Sequence, residues 1–150
     1  MPQLIVDNEF ATVTFHEAEQ YILFRYKAFG SSFIFRSTWT AAADFAIQHK
    51  IGKWLSDSRE MAVIPPSDQQ WFTDVWRKRI REENIGVDNL VAIVLGDKIF
   101  AVISAQMMLT GAENTTAELK RVNQQIGSLK IKYFSAMEEA NEWLALSGQV

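Results

Sequence analysis

The sequence predicts an α/β domain: a mixed sheet that opens with an antiparallel meander and continues as alternating helices and strands, with the helices mainly on one face. Three observations predict it. Short segments near the N-terminus alternate apolar and polar residues with period two, whereas the later chain interleaves short apolar runs with stretches of helical spacing. A chain of 150 residues is also of the usual size for one core, able to bury roughly 70% of the surface its unfolded form exposes. No repeat, low-complexity tract or linker divides it, so residues 1–150 read as a single domain.

The meander comes first. In Leu4 to Phe10 the apolar Leu4, Val6 and Phe10 share a face; in Thr12 to Glu17, Val13 and Phe15 oppose Thr12, Thr14 and His16; in Gln20 to Phe29, Ile22, Phe24, Tyr26 and Ala28 oppose Arg25 and Lys27. Gly30, Ser31 and Ser32 break the alternation. A helix then runs to about His49, with Phe35, Trp39, Ala42, Ala43 and Ala46 at helical spacing and small enough in part to pack closely on a sheet. Trp54 to Asp57 reads as a short strand, Ser67 to Asn84 as a helix with the stripe Phe72, Val75, Trp76 and Ile80, and Leu90 to Leu95 as a strand buried on both faces. That last feature implies parallel pairing. Asp97 can cap a helix to about Leu109, Gly111 to Thr116 is a loop, and Ala117 to Ile126 is helical. Leu129 to Phe134 alternates with Lys130 and Lys132 as a guarded edge strand does, and Ser135 opens a helix with Glu138 at the capping-box position and Ala140, Trp143 and Leu144 inside.

Composition narrows the function. With 48% hydrophobic and 22% charged residues the chain is an ordinary globular one, and a net charge of -3 gives no long-range attraction to nucleic acid or anionic lipid. There is no cysteine, which rules out disulfides, thiol nucleophiles and thiolate metal sites. Neither a signal peptide nor a membrane span is expected: Leu90 to Leu95 and Ile99 to Leu109 fall short of the roughly 20 residues a span needs. A cytoplasmic protein is the expectation. His16 and His49 lack metal-ligand spacing, the glycines form no phosphate cradle, and the carboxylate pairs Glu17 and Glu19, Glu82 and Glu83, and Glu138 and Glu139 lie in hydrophilic stretches. No catalytic residue, cofactor or metal ligand is assigned, and the basic run Arg77, Lys78, Arg79 and Arg81 reads as a solvated late-helix face.

Two candidate sites remain. One is the segment around Asp57, Ser58, Arg59 and Ser67, where strand β-to-helix loops of open sheets gather ligands and partners. Ser67 with Gln70 also makes a capping box, and Asp57 can pair with Arg59 or accept loop N–H bonds, so each residue has a purely structural alternative. An enzyme built on Asp57 and Arg59 would lack a visible nucleophile or base. The other is an apolar pocket walled by Trp39, Trp54, Trp71, Phe72 and Trp76, able to take a small hydrophobic or lipid-like ligand.

The order of elements, with Trp54-Leu55-Ser56-Asp57-Ser58-Arg59 followed by Pro66-Ser67-Asp68-Gln69-Gln70-Trp71, and the tail Tyr133-Phe134-Ser135 with Glu139-Ala140 and Trp143-Leu144, resembles the SpoIIAA-like branch of the STAS superfamily over nearly the whole chain. The resemblance implies helices packed mostly on one side of the sheet and a strand-to-helix surface, residues 57–70, that binds a protein partner or a second copy in a homodimer. In the anti-sigma factor antagonists of that superfamily, a serine at the start of the second helix is phosphorylated, adding about -1.5 to -2 charges at the interface. Ser67 stands at the matching place. The antagonists' D-S-S-G signature is absent, and this chain reads Pro65-Pro66-Ser67-Asp68-Gln69 instead. A non-enzymatic regulatory or interaction module is the expectation, with a small apolar ligand carrier as the alternative.

Overall fold

A computed structural model describes residues 2–84, 86–96 and 129–147. Six strands lie in one sheet in chain order: β1 (Gln3–Asp7), β2 (Ala11–His16), β3 (Tyr21–Tyr26), β4 (Lys53–Ser58), β5 (Asn89–Leu95) and β6 (Leu129–Phe134). The first three are antiparallel and the pairs β3–β4, β4–β5 and β5–β6 are parallel. The expected fold class is therefore the observed one. The helices expected within Asp97 to Leu109 and Ala117 to Ile126, and the loop between them, lie outside the described residues.

β1 is shorter than expected. It ends at Asp7 because the Asn8 side chain turns the chain, its carboxamide oxygen accepting the N–H groups of Phe10 and Ala11. β3 likewise stops at Tyr26; Ala28 and Phe29 are exposed, and the Lys27 and Ala28 N–H groups both turn to the Phe10 carbonyl.

Strand-to-strand parallel crossovers are almost invariably right-handed, which sends consecutive helices to one face when the strands are added in one direction. α1 (Ser32–His49) obeys, capped by Ser31 and ended by Lys50 in the left-handed region. The helix after β4 shares its face: α2 (Pro66–Trp71), a π-helical segment (Phe72–Arg77) and α3 (Lys78–Glu83) run on without a break. Ala42, Ala43 and Ala46 are fully buried and bring α1 close to the strands, where Val13, Phe15, Ile22, Phe24, Tyr26 and Trp54 meet Phe35, Trp39, Phe72, Trp76 and Ile80. This aromatic face is the main core. Among the described residues, α4 (Met137–Ser147) covers the other face, seating Ala140 and Leu144 on Tyr21, Leu23, Leu55, Leu90, Ala92 and Val94.

The sequence stripe of the second helix needs one correction. Val75 is half exposed, while Phe72, Trp76 and Ile80 are buried. The cause is the π-helical segment, whose i→i+5 bonds widen the turn so that Phe72 and Trp76 stack on the same side, 4.7 Å apart and 12° from parallel, and Val75 rotates outward. α4 also starts later than Ser135 implied: it begins at Met137, and the Ala140 N–H bonds the Ala136 carbonyl.

Candidate functional site

The carboxyl ends of β3 and β4 deliver two loops and two helix starts to one edge of the sheet. Asp57 lies there, buried, opposite Arg25 in the strand register. Its carboxylate accepts from Arg59 Nε at 2.8 Å, Arg59 Nη2 at 2.8 Å, the Arg59 backbone N–H at 3.3 Å and Arg25 Nε at 3.3 Å. Burial alone would raise its pKa, but the bonds from Arg59 and the charges of Arg59 and Arg25 outweigh it and hold the carboxyl below its ordinary value. A carboxylate saturated in this way is a lock for the loop. It has no lone pair left to act as a general base, so the structural alternative for Asp57 is the one the geometry supports.

Ser58 points to the opposite face from Asp57, as neighbours on a strand must. Its hydroxyl is buried and hydrogen-bonds Ser56 Oγ at 3.0 Å. Beyond it the loop 59–65 is pinned from beneath by Met61 and Ile64, both buried in the aromatic core, and the Gln69 side-chain amide donates to the Ile64 carbonyl. The end of β5 presses on the same loop: a Cβ at Gly96 would lie 2.7 Å from the Arg59 carbonyl oxygen, so only glycine fits there.

Ser67 does not cap its helix. The helix begins at Pro66, which suits proline because the first-turn N–H is unneeded, and Pro65 holds the cap position without a side-chain bond. The carbonyl of Pro65 accepts from Asp68 and Gln69 instead, and Gln70 donates to Asp74 rather than returning to Ser67. Ser67 is exposed on the first turn. The residue beside it carries the structural work: Asp68 is wholly buried, accepting from Ser32 Oγ at 2.9 Å and Arg36 Nε at 3.1 Å, and so ties the starts of α1 and α2 together. Sequence reasoning missed Asp68, whose partners lie 36 and 32 positions away.

Around these clamps the surface is apolar. Phe29, Phe33 and Val63 are 62%, 80% and 51% exposed, and all three sit on the loops or first turn at this edge. Trp71, with Phe33, Ser32, Arg36, Ser37 and Thr40, lines an open groove on the outer side of α1, and the Arg36 guanidinium lies 5.7 Å from the Trp71 ring centre.

Four of the five residues expected in an apolar pocket do come together. Trp39, Trp54, Phe72 and Trp76 wall a cavity of about 50 Å³ beneath the π-helical segment, completed by Phe24, Tyr26, Ser56, Ser58, Val91 and Ile93. Trp71 is the exception, turned outward against Phe35 and Arg36. Trp76 Nε1 donates to the Trp39 carbonyl at 2.6 Å, while the Trp39 indole N–H points toward the Tyr26 hydroxyl without reaching hydrogen-bond geometry. The cavity exceeds one water and is small beside the roughly 300–1,000 Å³ pockets that drug-sized ligands occupy.

Among the described residues no three His, Asp or Glu side chains gather into a metal-binding group, and no helix is long and apolar enough to cross a membrane. Comparisons of the chain with protein-family models, curated proteins and solved structures find no match.

Proposed function

We propose that this chain is a non-enzymatic, cytoplasmic regulatory or protein-interaction module of STAS-like type, and that residues 57–70, with Phe29 and Phe33 alongside, form its contact surface. The observation that carries the reading is the placement of Phe29, Phe33 and Val63 in solvent on loops that Asp57 and Asp68 hold rigid from below. Exposed aromatics on a preformed surface give contact area at little ordering cost, as in partner-binding patches. The partner is another protein or a second copy of the chain in a homodimer.

Ser67 is the modification point of this surface. Phosphate on the first turn of a helix is favoured by the dipole, so the fold tolerates it, while the added charge opposes docking on the apolar rim. The test is capture of partners from the native host's extract by wild-type protein, with sedimentation of the purified chain for self-association. Phe33→Asp and Ser67→Glu should each reduce capture or self-association at least tenfold, about 1.4 kcal/mol, with unchanged melting temperature. Equal capture by all three proteins would overturn the assignment of the surface.

A further inference from the structure

The cavity beneath the π-helical segment is bounded by polar groups that are turned to one another and not to the space. Trp76 Nε1 donates to the Trp39 carbonyl at 2.6 Å, and the Ser56 and Ser58 hydroxyls bond each other at 3.0 Å. Trp39 Nε1 makes no hydrogen bond among the described residues, but the atom is itself covered and so offers the space no donor. What faces inward is hydrocarbon and ring carbon from Phe24, Trp54, Phe72, Val91 and Ile93, with almost no polar surface. An internal water needs two to four polar partners, and a wall of this kind does not supply them.

The roof of the cavity has an unusual backbone. Residues Phe72–Arg77 form a π-helical segment, a rare conformation that recurs at functional sites, and it stacks Phe72 on Trp76 at 4.7 Å as a flat lid over the space. The floor is equally stiff: Phe24, Trp54, Val91 and Ile93 stand on neighbouring strands β3, β4 and β5. Rigid rings and β-branched side chains cannot swing in to close the gap, so the atoms lining it forgo dispersion contacts that a guest of matching size would restore.

We propose that this cavity is a binding site for a small nonpolar molecule of about two non-hydrogen atoms, of the size of dioxygen or ethene. The class follows from the wall: a charged or strongly polar guest would lose its hydration and find no partner, whereas a nonpolar one loses little by leaving water. The size follows from the volume. About 50 Å³ is a third of the roughly 150 Å³ apolar cavity that takes up benzene or xenon, and a third of six ring carbons is two. Ser58 is the one lining residue that also belongs to segment 57–70, and its hydroxyl is buried on Ser56, so this inference does not rest on the contact surface.

The wall carries its own reporters, the methyl groups of Val91 and Ile93, and the opposite face supplies the controls, Val94 and Leu144. The full chain, methyl-labelled at Val, Ile and Leu, is placed under xenon pressure and followed by NMR. Saturable shifts are expected at Val91 and Ile93, with Val94 and Leu144 unmoved. Ethene and dioxygen, added separately, should act at the same two residues, ethene by displacing the xenon shift and dioxygen by paramagnetic broadening; benzene should leave the xenon shift unchanged. Val91→Ile, which fills the space, should abolish the response at Ile93 while thermal melting shows the fold retained. The proposal is overturned if Val91 and Ile93 move no more than Val94 and Leu144 at about 20 mM dissolved xenon, where a Kd of about 10 mM would fill about two thirds of the sites. It is equally overturned if neither ethene nor dioxygen acts there, if benzene displaces xenon, or if the response at Ile93 survives in Val91→Ile.

Discussion

The two faces of one sheet are packed by different means. On one side α1 and the helix 66–83 bring Trp39, Phe72 and Trp76 onto Phe24, Tyr26 and Trp54, ring against ring; on the other α4 lays Ala140 and Leu144 on Leu23, Leu55, Leu90, Ala92 and Val94. Aromatic rings bury large areas but are rigid, and edge and face contacts between them leave gaps that flexible aliphatic chains would close. The aromatic face accordingly holds a cavity of about 50 Å³. Stability and vacancy thus come from the same residues, and each can be tested against its counterpart across the sheet.

The largest effect is expected at Trp39. Its ring stacks on Phe24 at 3.7 Å and meets Tyr26, Phe72 and Trp76, so Trp39→Ala both removes those contacts and enlarges a hole that already exists. A loss of about 4–5 kcal/mol is expected, against about 3 kcal/mol for Leu144→Ala, the most buried leucine of α4. Urea denaturation of the two variants measures the difference. Equal losses would mean that the aromatic face relaxes around its vacancy as freely as the aliphatic face does.

Val91 and Ala92 are neighbours on β5 that point to opposite faces, one into the cavity wall and one fully buried under α4. Enlarging each should have opposite signs. Val91→Ile places one added carbon in empty space and should stabilise by up to about 0.8 kcal/mol. Ala92→Val has no such space and should cost about 1–3 kcal/mol by overpacking. Thermal melting of the pair reads both, and a loss at Val91 would show that the cavity is not free to be filled.

The sequence made one face more legible than the other. Period-two alternation and the alanine stripe of α1 were enough to place the sheet and its first helix, because a side chain's direction in a strand or helix depends on local geometry alone. Asp57 and Arg59 were legible for the same reason, being two residues apart at a strand end. Asp68 was not: its exposure is decided by Ser32 and Arg36, which only the folded chain brings near. The π-helical segment was hidden too. Phe72, Val75 and Trp76 satisfy an α-helical stripe as well as a wider one, and the widening that exposes Val75 leaves no periodic trace in six residues.

The smallest of these effects separates the faces by pH. Asp57, on the α4 side, has a folded pKa below its ordinary value through Arg59 and Arg25, so the unfolded chain binds its proton at a higher pH than the folded chain does. Its contribution to stability is therefore complete above the unfolded value of about 3.9 and is lost as pH falls through the folded pKa. Both arginine side chains are about half exposed, at 52% and 47%, and water screens part of that contribution. Denaturation followed from pH 7 to pH 2 should show Asp57→Asn less stable than the wild type near neutrality and the two curves converging in acid, because protonated Asp57 and asparagine are alike in charge. Parallel curves would place the acid sensitivity elsewhere and reduce Asp57 to a hydrogen-bonding role, with its charge contributing nothing to the lock on the 59–65 loop.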